Sequence, residues 1–416
     1  MEREIVKDKN SSVIAAMNLN EINLDEGSCA AWSETYYGEQ TYSEEQLLKL
    51  AKRFHNTKRT YLLVDPLQGK HIPVSPNECL RMLRTLGTML SDEFPSAKLV
   101  VGFAETATAV GAAVAECMGR DCRYYQTTRE DVEGVDSWVE FLEEHSHAAE
   151  QKLAADKFAA DLDTTDTVIF VDDELSTGKT LNNMIDRLIT FFPQLANKHI
   201  VAASIINRMS DENIAAFAKR GIACRQLLKL ENINYTEVVA PMVIRGASEL
   251  PEINTADTLS AVNFIRAEDY ASPRTGVRIG EYIENILTRH ERVISNDKRM
   301  IPSGRRLAVI GTEECMYPGL IIAEQYENSG AYASVRFHAT TRSPIGICED
   351  EDYPVTNGYK LKSFYERDRQ TFLYDLAEYD SVLIVTDSAP ENMEAVQELA
   401  GLFRYYGCSE VIVERV

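Results

Sequence analysis

The segment from Val168 to Thr180, VIFVDDELSTGKT, sets an apolar run, two adjacent acids and a hydroxyl-rich loop in direct succession. An apolar strand ending in such a loop delivers it to the carboxyl edge of a sheet, where α/β proteins hold ligands. Ser176, Thr177 and Thr180 offer hydroxyls, and Gly178 lets the backbone approach a phosphate closely. The helix opening at Lys179 and Thr180 adds unpaired amides and a positive dipole end. Asp172 and Asp173 cannot hold a phosphate themselves; they suit sugar hydroxyls, or a Mg2+ ion with its waters. The string Ser176 to Thr180 also resembles the end of a P-loop. That motif needs glycine five positions before Gly178, where Asp173 stands, and a carboxylate there would repel a triphosphate. Helix capping alone would require far less than this set.

The surrounding pattern supplies the elements that must position these groups. Thr180 to Phe192 reads as an amphipathic helix with Leu181, Met184, Ile185, Leu188 and Ile189 on one face. Short apolar runs at 98–101, 168–171 and 200–206, with a strand-like stretch at 123–128, alternate with helical stretches, the pattern of a parallel sheet covered on both faces. Residues 45–54, 80–90 and the acidic stretch 130–160 read as helical. The same rhythm returns after residue 300. Apolar runs at 307–310, 334–339, 382–385 and 410–413 are interleaved with helices, one of them over 391–404. Thr127-Thr128-Arg129 and Thr340-Thr341-Arg342 stand in matching places, with Arg129 44 positions before Asp173 and Arg342 45 before Asp387. Residues of about 95–210 and 303–416 thus read as two copies of one α/β unit. The expected organisation is an arm over 1–45, a first domain over 46–245, a connector over 246–300 with a helix near 276–294, and a second domain over 301–416.

The chain of 416 residues carries a formal net charge of −22, which argues against phosphate-backbone binding and hence against nucleic acid as a partner. The charged N-terminus lacks the apolar core of a signal peptide, and no apolar run approaches a membrane span. Eight cysteines are scattered without CxxC spacing, which reads as reduced thiols and a cytoplasmic protein.

Val168 to Thr180 resembles the 5-phosphoribosyl-1-pyrophosphate (PRPP) motif of type I phosphoribosyltransferases, orotate phosphoribosyltransferase-like. The resemblance implies two tandem Rossmann-like domains with parallel sheets, a type I phosphoribosyltransferase fold and a degenerate second copy. It implies Asp172 and Asp173 on the ribose hydroxyls, with Mg2+ held through PRPP beside them. Ser176, Thr177, Gly178, Lys179 and Thr180 would cradle the 5-phosphate. The family's pyrophosphate loop falls on Ala104, Glu105 and Thr106, where Glu105 is tolerable only through Mg2+ or by pointing away. Arg129 is the expected catalytic cation of a mobile hood, with Arg123 and Lys152 near it. Lys70 and His71, on the loop GKHIPV, and His145 and His147, in EEHSHA, are acceptor or hood candidates; two positions apart on a helix, the latter pair is awkwardly placed for joint metal binding.

Thr340 to Pro344, TTRSP, resembles the TRSP domain found beside phosphoribosyltransferase domains in bacterial tellurite-resistance and stress gene clusters. TDSAPENME, residues 386–394, has lost the phosphate loop, since Pro390 removes a donor and Glu391 adds negative charge. The implied reaction is transfer of phosphoribose from Mg-PRPP to a small, nitrogenous acceptor, with release of pyrophosphate, in synthesis of a nucleoside-like metabolite. Ser176 replaces the acid of purine-salvage relatives, so an orotate-like acceptor fits better than a purine. A homodimer is admitted, and no membrane partner is expected. A PRPP-sensing regulator and a pathway scaffold are the readings that turnover would separate from an enzyme.

Overall fold

The computed structural model describes residues 41–56, 59–141, 151–252, 262–265, 271–389 and 392–416. His145, His147, Pro390, Glu391 and most of the N-terminal arm lie outside the described residues.

The N-terminal half begins with an antiparallel hairpin, β1 (Lys49–Lys52) and β2 (Tyr61–Val64), followed by α1 (Pro76–Glu93). The stretch 45–54, expected to be helical, instead gives one short turn at Glu44–Leu47 and then β1. Pairing with the apolar β2 overrides local helix propensity there. Ser75 caps α1 by accepting from the Glu78 amide, with Pro76 in the first turn. Next come β3 (Leu99–Gly102), α2 (Thr108–Cys117) and β4 (Arg123–Gln126). The alanine-rich α2 lies so close to β3 that a Cβ on Gly111 would sit 2.7 Å from the Gly102 Cα.

The acidic stretch 130–160 is not the helix its composition suggested. It holds the hairpin β5 (Trp138–Phe141) and β6 (Gln151–Ala154), whose Val139 and Phe141 alternate inward at strand spacing. Then follow β7 (Thr167–Leu175), α3 (Lys179–Phe191), β8 (His199–Asn207), α4 (Asp211–Lys219) and β9 (Ile222–Lys229).

The connecting segment gives one strand to each half. Strand β10 (Val262–Ile265) joins the C-terminal sheet, and β11 (Val277–Arg278) pairs antiparallel with β4. Helix α5 (Ile279–Asn296) follows. The C-terminal half then runs β12 (Arg306–Gly311), α6 (Tyr317–Asn328), β13 (Ser334–Ala339), the hairpin β14 (Gly358–Lys362) and β15 (Gln370–Tyr374), β16 (Ser381–Thr386), α7 (Met393–Tyr405) and β17 (Glu410–Arg415).

The strand orders are β11-β4-β3-β7-β8-β9 and β10-β17-β16-β12-β13. Except for β11, all pairings in both sheets are parallel. The five strands β4-β3-β7-β8-β9 correspond in order to β13-β12-β16-β17-β10, and a hairpin is inserted after β4 and after β13 alike. The Thr-Thr-Arg turns repeat in atomic detail. The Thr127 amide donates to the Gly102 carbonyl at 2.9 Å and the Thr340 amide to the Gly311 carbonyl at 3.0 Å. The Thr127 hydroxyl accepts from the Ala104 amide at 2.8 Å, and that of Thr340 from the Glu313 amide at 2.9 Å. Thr128 pairs with Lys152 in the first hairpin as Thr341 pairs with Phe372 in the second.

One continuous apolar core crosses both halves, joining Leu83 and Leu86 of α1, Val110 of α2, Ile286 of α5, Leu320 of α6 and Phe337 of β13. Within it Arg84, 2% exposed, donates to Glu116 at 3.0 and 3.1 Å and to Glu324. The Tyr317 hydroxyl completes Glu116 at 2.9 Å. A smaller cluster ties Ala51 and Val64 of the first hairpin to Ile345, Ile347 and Phe372, so it too is built from both halves. Six described cysteines are free, whereas Cys117 is disulfide-bonded, which corrects the reading of all eight as reduced thiols. Sequence spacing carries no information on which thiols approach in space. No described helix is long and apolar enough to cross a membrane.

Arg84 holds two buried carboxylates, so its removal leaves both charges uncompensated. Arg84→Met is expected to cost about 3–5 kcal/mol in urea unfolding. Adding Glu116→Gln and Glu324→Gln should return part of that loss; a single variant as stable as the wild type would contradict the assignment.

Candidate active site

Strand β7 carries its side chains to the edge of the first sheet. Near its end Asp172, Asp173 and Glu174 are half-buried, and Leu175, which closes the strand, is buried. The Asp173 amide donates to Asp172 Oδ1 at 3.0 Å, and among the described residues neither aspartate makes an ion pair. Burial, and for Asp172 also the charge of Asp173, push both carboxyls above their ordinary range. The chain then turns at Gly178, whose φ of 74° is the left-handed conformation that glycine tolerates. A Cβ there would come within 2.9 Å of the Met209 sulfur. Ser176 and Thr177 are exposed at the turn, and the Thr177 hydroxyl accepts from the amide of Lys179, the first residue of α3, at 3.3 Å. The loop therefore presents hydroxyls and first-turn amides, next to two carboxyls that a cation or a set of hydroxyl donors would stabilise.

Asp65, directly after β2, faces the same acids. Its Oδ1 accepts from the Leu67 amide at 2.8 Å, while its buried Oδ2 has no partner among the described residues. Burial, with the charge of Asp173 adding to it, pushes the Asp65 carboxyl up to about 8. Arg208, at the end of β8, reaches Glu174 at 2.8 Å and the Tyr61 hydroxyl at 3.2 Å. Its guanidinium lies 5.8 and 5.6 Å from the ring centres of Tyr61 and Tyr235. The sequence reading missed Asp65 and Arg208, although both follow a strand's carboxyl end, where chemistry concentrates in such folds.

The other expected site residues are sorted by the structure. The Ala104 amide is taken by Thr127, and the Thr106 carbonyl accepts from Gln68 at 3.3 Å. The amides of Glu105 and Thr106 make no backbone hydrogen bond among the described residues. The Glu105 side chain is turned into the seam between the halves, paired with Lys70 and, at 3.4 Å, with Arg342. Burial alone would raise its carboxyl, but these two cations bring it below the ordinary value. Lys70, 1% exposed, also donates to the carbonyls of Glu313 at 2.8 Å and Thr340 at 2.9 Å. With three donors and three acceptors, it is a seam residue with no proton left for an acceptor.

His71 is buried with both ring nitrogens unpartnered among the described residues, and burial drops it to about 3. Arg129 is exposed, its amide bound to Glu314 at 3.0 Å. Arg123 pairs with Asp161 at 3.1 Å, and Lys152 with Asp131 at 2.6 Å and over Trp138, so neither is directed at β7. In the second half, Asp387 occupies the place of the paired acids. It is held by Arg274 and the Tyr365 hydroxyl, in contrast to Asp172 and Asp173. No group of three or more His, Cys, Asp or Glu among the described residues could hold a metal ion. Two unpaired carboxyls, hard oxygen donors pushed up by burial, still fit a Mg2+ carried in by an anionic ligand.

Residues 47–230 match the family model of phosphoribosyl transferases, and residues 273–403 match that of the TRSP domain C-terminal to it. Solved structures similar to the chain include three phosphoribosyltransferases. The orotate enzyme of Aeropyrum pernix is 15% identical, with a TM-score of 0.30, over 45% of this chain and 90% of that one. The adenine enzyme of Trypanosoma brucei is 12% identical, TM-score 0.34, over 52% and 89%. The orotate enzyme of Francisella tularensis is 14% identical, TM-score 0.26, over 45% and 82%. No curated protein matches the chain.

An unfolded aspartate titrates near 3.9. Between about pH 4 and pH 8 the fold therefore retains a proton on Asp65 that unfolding releases, and this residue's contribution to stability falls as pH rises through that window. Asp65→Asn keeps the acceptor for Leu67 and removes the titration. Its melting temperature relative to wild type should rise from pH 5 to pH 8; a constant difference would contradict the protonated state.

Proposed function

We propose that this chain, whose residues 47–230 match the phosphoribosyl transferase family model and whose residues 273–403 match the TRSP domain C-terminal to it, transfers phosphoribose from Mg-PRPP to a small nitrogenous acceptor, releasing pyrophosphate. The observation carrying this reading is the end of β7: two carboxyls without an ion pair among the described residues are followed by a turn of exposed hydroxyls and a helix N-terminus. In this reading the Ser176–Thr180 segment holds the 5-phosphate through its amides and hydroxyls. Asp172 and Asp173 accept from the ribose hydroxyls and orient the sugar. They also lie where positive charge grows on the ring as the bond from the anomeric carbon to pyrophosphate oxygen breaks. The electron pair of that bond leaves with pyrophosphate. The acceptor nitrogen supplies the pair for the new bond and gives up a proton.

Mg2+, when bound with PRPP, neutralises charge on the departing pyrophosphate. The free amides of Glu105 and Thr106 and the exposed guanidinium of Arg129 would receive that group. Tyr61, Tyr235 and Arg208 offer the acceptor flat surfaces, and Asp65 Oδ2 and the ring nitrogens of His71, without partners among the described residues, offer hydrogen-bonding groups.

Calorimetric titration tests the reading. Wild type should bind PRPP only with Mg2+, and Asp172→Asn/Asp173→Asn should weaken that binding roughly 100-fold or more, as expected for two lost charge-assisted contacts. A well-folded wild type that binds no PRPP with or without Mg2+, alone or with an orotate-like acceptor present, would overturn it.

A further inference from the structure

The two Thr-Thr-Arg turns meet across the seam, and each is held by a glutamate from the opposite half. Glu314, 0% exposed, accepts from the Thr128 hydroxyl at 2.7 Å and the Arg129 amide at 3.0 Å. Glu105 accepts from the Arg342 amide at 3.3 Å. The two glutamates occupy equivalent places, three residues beyond Gly102 and Gly311 at the ends of β3 and β12. The exchange is reciprocal, as in a two-fold interface between like subunits, but it occurs within one chain.

The side chains then break the symmetry. Arg342 is turned inward, 2.8 Å from Glu313, 3.4 Å from Glu105 and 3.5 Å from Glu314, and it also pairs with Glu130. Arg369 adds a contact at 2.8 Å to Glu130 and one at 3.2 Å to Glu313. Arg129 has the same backbone anchor but no ion pair among the described residues. The position equivalent to Glu313 is Ala104, two residues beyond Gly102, so the first half lacks the acid that captures Arg342 in the second. Both loops on the pyrophosphate side, 103–107 and 127–130, are thus fixed by cations and a glutamate of the C-terminal half. The Ser176–Thr180 loop receives none of these contacts.

We propose that the TRSP half is a built-in partner that shapes the pyrophosphate-binding side of the active site. Glu314 and Arg342 act as positioning residues. Glu314 sets the Thr-Thr-Arg turn so that Arg129 points outward. Arg342, with Lys70, draws the Glu105 carboxylate away from an incoming anion while leaving the loop amides open. A phosphoribosyltransferase unit with an acid in its pyrophosphate loop would otherwise repel the group it must hold. This inference rests on the PRPP reading above.

The test compares three ligands on the full chain with Mg2+ present: PRPP, inorganic pyrophosphate and ribose 5-phosphate. Arg342→Met should weaken PRPP and pyrophosphate roughly tenfold or more and leave ribose 5-phosphate unchanged, because only the pyrophosphate side depends on the seam. Glu314→Gln, which keeps the shape and loses one acceptor, should show the same selectivity to a smaller degree. It decides the question if Arg342→Met fails to fold. Unchanged affinity for all three ligands in a folded variant, or equal loss for all three, would overturn the proposal. Wild type that binds ribose 5-phosphate but neither pyrophosphate nor PRPP would instead defeat the PRPP reading itself.

Discussion

Carboxylates crowd the carboxyl edges of both sheets, and the architecture is shaped by how each one is kept in a low-dielectric setting. Along the seam the solution is pairing: Arg342, Arg369, Arg274 and Lys70 share Glu105, Glu130, Glu313, Glu314 and Asp387. Such a network contributes little net stability against an apolar substitute, yet it fixes one arrangement of the loops it joins. At the end of β7 the opposite choice is made. Asp172 and Asp173 make no ion pair among the described residues, and burial holds both carboxyls above their ordinary range. The acids of the seam are ion-paired, and those at the end of β7 make no ion pair among the described residues.

The two halves reuse one plan. Equivalent strands, an inserted hairpin after β4 and after β13, and the same amide and hydroxyl bonds around each Thr-Thr-Arg turn recur with distances agreeing to about a tenth of an ångström. Few changes separate their chemistry. Ala104 faces Glu313, and the free pair Asp172-Asp173 faces an Asp387 already bound by Arg274 and Tyr365.

Much of this was legible in the sequence, because it depends on local pattern. The β7 motif needs only a strand, two acids and a glycine turn in order, and the strand–helix alternation follows from apolar runs. The Thr-Thr-Arg echo was visible too, although its hydroxyls prove to brace strand ends rather than to meet a ligand. What stayed hidden depends on distant partners. Lys70 looked like a loop cation free to reach a substrate, but its three acceptors come from positions 105, 313 and 340. Asp65 acquires its character from burial in the folded chain, with the charge of Asp173, more than 100 residues away, adding to it, and the pairing of 138–141 with 151–154 is one that acidic composition masks.

The central claim is that the β7 turn and the first turn of α3 hold the phosphate of PRPP. Hydrogen–deuterium exchange of the full chain with Mg2+, with and without PRPP, reads those amides directly. On addition of PRPP the amides from Ser176 to Leu181 should become protected, together with those of Glu105 and Thr106. Saturating PRPP that leaves the Ser176–Leu181 amides exchanging as in the free protein would contradict it.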